Sequence, residues 1–353
     1  MIQKIQRRIE HGFGAKGERK IRPATDGIHF PPEARMNHAE NGFRALTMRI
    51  KFTIAAAMLM VGAAVGFAKA APASLAYVLQ ADSLAKIKTA AAAKLAACGR
   101  DWIVLDAALS SDEPWTSADL AAIRVGRDGR RVIAYLSIGE AEDYRAYWRR
   151  EWGANRDGKP DAAAPAFLVA ENPDWKGNYR VKYWHADWQQ IILADVDRIM
   201  AAGFDGLYLD IVDGFETFER DDSLAPSDGE RGRGEGHNYI DDRPNPETKQ
   251  TYRRDMVDWV KAIAAQARKK NPAALVIPQN GTQLLAQTDF LDAVDAVGVE
   301  DLFTNGDKLQ PASETKNILG FLAPLMAPHK PVLDIEYPKN KERRAQVREK
   351  TAV

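Results

Sequence analysis

Cysteine is almost absent from this sequence: Cys98 stands alone among 353 residues, so no disulfide can close within the chain. A lone thiol of this kind is read as buried packing rather than as a nucleophile. Histidine is scarce as well, six in all, with no H-x-H, H-E-x-x-H or Cys/His cluster, which argues against a built-in zinc site. Neither sign of charge is in excess, with 49 Lys plus Arg against 49 Asp plus Glu. That balance removes the electrostatic case for nucleic acid or an anionic membrane as partner. No strand-like run is followed by G-x-G-x-x-G, and the D-x-D-x-D-G loop of a calcium site is missing. No cofactor and no metal are therefore expected. What is present is 45% hydrophobic and 28% charged residues, enough for a full globular core.

The clearest processing signal begins at Met48. Arg49 and Lys51 form a basic start, Phe52 to Phe67 an uncharged apolar run, and Ala68-Lys69-Ala70 an A-x-A cleavage site. Residues 48–70 are thus read as a signal peptide. A retained membrane anchor is the alternative, although the run is short against the roughly 20 residues of a spanning helix. Residues 1–47 are basic, mixed and without sustained periodicity, and are read as a non-native extension ahead of the true start. The expectation is an exported protein, periplasmic or extracellular, touching membrane only through an uncleaved signal segment. Residues 71–353 suit one barrel of about 250 residues better than two domains.

Along that stretch short aliphatic runs alternate with helical patterns. Strands are expected at Leu75–Leu79, Trp102–Asp106, Arg131–Leu136, Phe204–Asp210, Ala274–Pro278, Ala296–Glu300 and Pro331–Glu336. Helices are expected at Ser83–Ala97, Asp187–Ala202 and Tyr252–Lys269, the second ending at Gly203 in the position of a C-cap glycine. Continuous apolar strands separated by amphipathic helices mean a parallel sheet covered by helices. The fold class is α/β, a TIM-like (β/α)8 barrel. An eighth strand does not follow the helix expected near Asn340, so the barrel is incomplete, closed by another segment, or short of its C-terminus. The polar stretch Thr217–Gln250 reads as a lid or wall on the substrate side, or as a disordered insertion.

Barrel enzymes place their chemistry at the C-terminal ends of the strands. That rim collects Asp106, Glu140, Asp210, Asp213, Glu300, Asp301, Asp334 and Glu336, with Tyr135, Asn280 and Tyr337 among them. One acid beside a helix N-terminus only complements the helix dipole. Six strands ending in or near an acid require a use, because crowded like charges repel. Glycoside hydrolysis is such a use: one carboxyl protonates the leaving oxygen, and another attacks the anomeric carbon or activates water. Trp115, Tyr144, Tyr147, Trp148, Trp152, Trp175, Tyr183 and Trp184 are candidate sugar-stacking faces, and Trp188 a core residue.

The segments WIVLD (102–106), VIAYLSIGEAEDYRAYW (132–148), VKYWHADWQQII (181–192), GFDGLYLDIVDGFE (203–216), VIPQNG (276–281), VGVEDLF (297–303) and VLDIEYP (332–338) together resemble the endo-α-1,4-polygalactosaminidase family of glycoside hydrolases. The resemblance implies a carboxylate pair at Asp210 and Glu300, with Asp210 as nucleophile and Glu300 as acid/base in a retaining reaction. It further implies a substrate site drawing on Asp106, Tyr135, Glu140, Tyr208, Asp213, Asn280 and Glu336, with Tyr135 or Tyr208 orienting a carboxylate. The expected partner is an amino-sugar polysaccharide, whose cationic units an acidic cleft would suit. A hydrolase of a different glycan, and a non-catalytic polysaccharide-binding or assembly barrel, are the readings left beside it.

Overall fold

The computed structural model describes residues 72, 74–110, 113–221, 238–239 and 241–350. The expected extension and signal peptide, and the middle of the 217–250 stretch, lie outside these residues. Fourteen strands occur among the described residues, in chain order: β1 (Leu75–Val78), β2 (Trp102–Asp106), β3 (Arg131–Ser137), β4 (Glu140–Glu142), β5 (Leu168–Glu171), β6 (Asn178–Val181), β7 (Gly206–Asp210), β8 (Arg220–Asp221), β9 (Asn238–Tyr239), β10 (Leu275–Pro278), β11 (Val297–Glu300), β12 (Thr304–Asn305), β13 (Lys308–Leu309) and β14 (Val332–Ile335).

Strands β1, β2, β3, β7 and β10 form a parallel sheet in that order. A parallel bridge from Gln279 to Gly298 carries the order on to β11, which pairs in parallel with β14. Seven of the expected strands thus lie in sequence order as a barrel-like wall. No ladder joins β14 back to β1 among the described residues.

The alternation of side chains along each strand sorts residues into two layers. Trp102, Val104, Ile133, Tyr135, Tyr208, Leu275, Ile277, Ala296, Leu333 and Ile335, with Leu75 and Tyr77, meet in one cluster inside the wall. Ile103, Leu105, Val132, Ala134, Leu207, Leu209, Val276 and Val299 face outward into the layer shared with the helices. A filled interior with a second apolar layer outside it is the packing of a TIM-like barrel.

The helices covering the wall carry legible end signals. In α1 (Lys88–Ala97) there is no side-chain cap. The expected helix from Ser83 is instead a 3-10 turn, Ala81–Ser83, broken before Lys88 by the extended backbone of Ile87. In α2 (Ser117–Val125) Thr116 and Asp119 form a reciprocal capping box. Helix α3 (Ala186–Ala202) stops at Gly203, whose φ of 96° is left-handed. Further on come α4 (Phe215–Glu219), α5 (Tyr252–Lys270), α6 (Thr288–Ala293), α7 (Ala312–Leu322) and α8 (Lys341–Lys350). Among the described residues no helix is long and apolar enough to cross a membrane.

At the N-terminal ends of the strands, acids tie neighbours together. Asp205 accepts from the Val132 N–H at 2.8 Å and pairs with Arg124. Asp295 does the same with the Val276 N–H at 2.9 Å and Arg268. These pairs brace the face opposite the site.

Candidate active site

The alternation that builds the interior decides which rim residues face the barrel axis. Tyr208 points inward, so Asp210 two residues on shares its face. By the same count Asp106 follows Val104, Gln279 follows Ile277, Glu300 follows Gly298, and Tyr337 follows Ile335. Asp334 and Glu336 fall on the opposite face.

Asp210 ends β7 and is half-buried. The Tyr135 hydroxyl on the neighbouring strand donates to its Oδ2 at 2.5 Å, and the Ile211 N–H to its Oδ1 at 2.9 Å. Burial pushes its pKa up to about 6, against the lowering effect of those donors. Ile211 carries a left-handed φ of 59°, an uncommon and strained state for a β-branched residue. Gly139 makes room for that turn: a Cβ there would lie 2.3 Å from the Ile211 carbonyl oxygen. The Tyr-Leu-Ser-Ile-Gly-Glu run therefore has a steric link to the strand that carries Asp210.

Glu300 ends β11, with β10 between it and β7. The Tyr337 hydroxyl donates to its Oε1, and its backbone N–H donates to Asn280 Oδ1 at 3.2 Å. The other end of that amide donates to Asp213 Oδ2 at 3.3 Å. Asn280, itself left-handed with φ 57°, thus connects the rim of β7 with that of β11. Burial, then the charges of Glu216 and Asp210, raise Asp213 to about 8. Burial thus favours the protonated form of Asp213 near neutral pH, and the crowded rim carries less negative charge than its composition implies.

A three-stranded antiparallel sheet, in the order β4-β6-β5, stands beside these groups. Periodicity did not reveal it, because each strand has only three or four residues. It presents Asn172 Nδ2 to Glu140 Oε1 at 2.8 Å and Asn178 Nδ2 to Glu140 Oε2 at 3.4 Å. Burial raises Glu140 to about 7, and the charge of Asp210 adds to the rise.

The strongest feature that the sequence reading missed is Arg145. It pairs with both oxygens of Asp106, at 2.8 and 2.7 Å, and with Glu142 at 2.5 Å. Glu142 is buried and also accepts from the Tyr144 hydroxyl. The spacing Glu142–Arg145 was the available signal, because an i,i+3 pair can meet in a tight turn.

Glu336 is engaged elsewhere. Its Oε1 accepts from the Phe303 N–H at 2.5 Å, and its Oε2 from the Thr304 N–H and hydroxyl. It holds the loop after β11, in keeping with its outward face. Tyr208 is fully buried in the interior cluster, beneath the rim rather than on it. Of the expected stacking aromatics, Trp115, Trp152 and Tyr183 are buried in the helix–sheet core with Trp188. Tyr144 is 45% exposed and remains available.

Among the described residues no group of three or more His, Cys, Asp or Glu is placed to hold a metal ion. The arrangement offers two axis-facing carboxyls, each held by a tyrosine hydroxyl, amid acids with raised pKa values. The model of glycoside-hydrolase family GH114 matches residues 101–352. The chain belongs to this family. An uncharacterized protein of Deinococcus radiodurans is 35% identical over 236 residues, 67% of this chain and 64% of its own. Protein MJ1477 of Methanocaldococcus jannaschii is 33% identical over 239 residues, 67% of this chain and 60% of its own. The chain thus spans less than two thirds of the length of these relatives. The glycoside hydrolase domain of PelA from Pseudomonas aeruginosa shares the fold, with a TM-score of 0.51 at 20% identity. That match covers 80% of this chain and 90% of the PelA domain.

Proposed function

We propose that this GH114 chain is an exported glycoside hydrolase that cuts internal α-1,4 linkages of a galactosamine-containing polysaccharide, with retention of anomeric configuration. The observation that carries the reading is the pairing of Asp210 and Glu300 on the axis-facing side of the rim, each held by its own tyrosine. In the first step Glu300 gives its proton to the glycosidic oxygen, and the leaving chain departs with the bonding pair. Asp210 Oδ attacks the anomeric carbon and forms a glycosyl ester. Glu300, now a carboxylate, takes a proton from water as that water attacks the same carbon and releases Asp210. A pKa of about 6 leaves Asp210 ionised at neutral pH, as a nucleophile must be.

An amino sugar suits the surroundings. The Asp106–Arg145–Glu142 cluster keeps one net negative charge and Glu140 lies near it, which favours a cationic unit on that side of the rim. Export rests on residues 48–70, outside the described structure.

The test is reducing-end release from partly deacetylated galactosaminan by the parent, Asp210→Asn and Glu300→Gln chains. Release by the parent that either substitution abolishes supports the hydrolase and the pair. Polymer binding by all three without release would make the protein a binding barrel. The anomer released first, read by proton NMR, separates retention from inversion.

A further inference from the structure

Four tyrosines reach the floor beneath the two carboxyls, and three have committed hydroxyls. Tyr135 donates to Asp210, Tyr337 to Glu300 and Tyr77 to Gln279 Oε1 at 3.2 Å. Tyr208 differs. Its ring is fully buried and meets Tyr77 edge to face, with centroids 5.4 Å apart. Its hydroxyl has no hydrogen-bond partner among the described residues.

A buried phenol hydroxyl without a partner opposes folding, and phenylalanine would fill the same space without that penalty. The surroundings nevertheless make room for the oxygen. At Gly298 on β11 a Cβ would lie 2.0 Å from Tyr208 Oη, so this strand gives up a side chain to admit it. Burial holds the phenol protonated, reinforced by the charges of Glu300 first and Asp210 second. The oxygen thus keeps its proton beside the residue whose charge changes during the reaction.

We propose that Tyr208 is a positioning residue for acid/base catalysis, the Glu300 carboxylate settling onto its hydroxyl once Glu300 has released its proton. This rests on Glu300 being the acid/base of the reading above. In the resting state Tyr337 donates to Glu300. After proton transfer the new anion has a second donor beneath it, already desolvated and without a competing acceptor. Catalysis by such a donor is differential, because it binds the anion formed along the reaction more strongly than the acid.

The experiment compares the full chain with Tyr208→Phe by titrating the Glu300 carboxyl with carbon-13 NMR, the resonance being assigned through Glu300→Gln. The expected result is a Glu300 pKa higher by at least about half a unit in the variant, since a donor to the anion is gone. Its melting temperature should equal or exceed that of the parent, and on galactosaminan kcat should fall about tenfold with KM unchanged. An unchanged Glu300 titration overturns the proposal, whatever the polymer result. A lowered melting temperature with unchanged titration would mean that the hydroxyl serves packing only. A shifted titration in a chain that leaves galactosaminan intact would support the coupling and reject the substrate reading.

Discussion

Gly139 and Ile211 touch so closely that a methyl group on the glycine would lie 2.3 Å from the Ile211 carbonyl oxygen and 2.7 Å from its Cγ2. The turn that sets Asp210 therefore depends on a residue 72 positions away by number but adjacent in space. Gly139→Ala is expected to displace Ile211 and the Asp210 oxygen that its N–H holds. Overpacking of this kind destabilises by about 1–3 kcal/mol. Thermal denaturation should show the loss, and turnover should drop further than stability alone explains.

Tyr135→Phe removes the donor to Asp210 Oδ2 while keeping the ring. A hydrogen bond to a charged group contributes roughly 1.5–3 kcal/mol, so kcat/KM should fall at least about tenfold. The lost donor favoured the ionised form, so the Asp210 pKa rises from its value near 6. The acid limb of the pH–rate profile should move to higher pH, and an unmoved limb would argue against Asp210 as the ionised partner.

Stability should decline as the solution becomes alkaline. Burial raises Asp210 to about 6, Glu140 to about 7 and Asp213 to about 8, against ordinary values near 4 in the unfolded chain. Between those limits the folded protein binds more protons than the unfolded one, so unfolding becomes easier as pH rises. Their stabilising effect is complete below pH 4 and is lost progressively towards pH 8. Melting temperatures measured from pH 5 to 8.5 should fall, and Asp213→Asn should flatten the upper part of that curve.

Arg145→Met should destabilise by about 3–5 kcal/mol, because it leaves Asp106 and the buried Glu142 without their shared cation. Urea denaturation reads this directly. Arg145→Lys should recover only part of the loss, since one ammonium does not reproduce a guanidinium that bridges two carboxylates.

The strands were legible because each is a short aliphatic run with an acid or amide near its end. Trp102–Asp106 matches residue for residue, and Arg131–Leu136 and Ala274–Pro278 differ by one position at one end. The pairing of Asp210 and Glu300 with tyrosines follows from strand alternation, which places Tyr337 on the face of Leu333 and Ile335. That count also puts Glu336 on the outer face, although the strand-end reading and the resemblance both expected it at the rim site. Glu140 through Val181 was opaque: the little sheet there is set by contacts between distant residues, and Arg145 gains its role only when Asp106 is brought to it.

Asn280 invites a different consideration, because it precedes Gly281. An asparagine–glycine bond is where proteins age chemically, through a cyclic imide that opens to aspartate or isoaspartate. Here the amide is occupied at both ends, by Asp213 and by the Glu300 N–H, which restrains it from cyclising. Should it react, a carboxylate would face Asp213 in place of a donor, and isoaspartate would lengthen the backbone between β7 and β11. The shelf life of the protein is thus written into the same side chain that spans its rim.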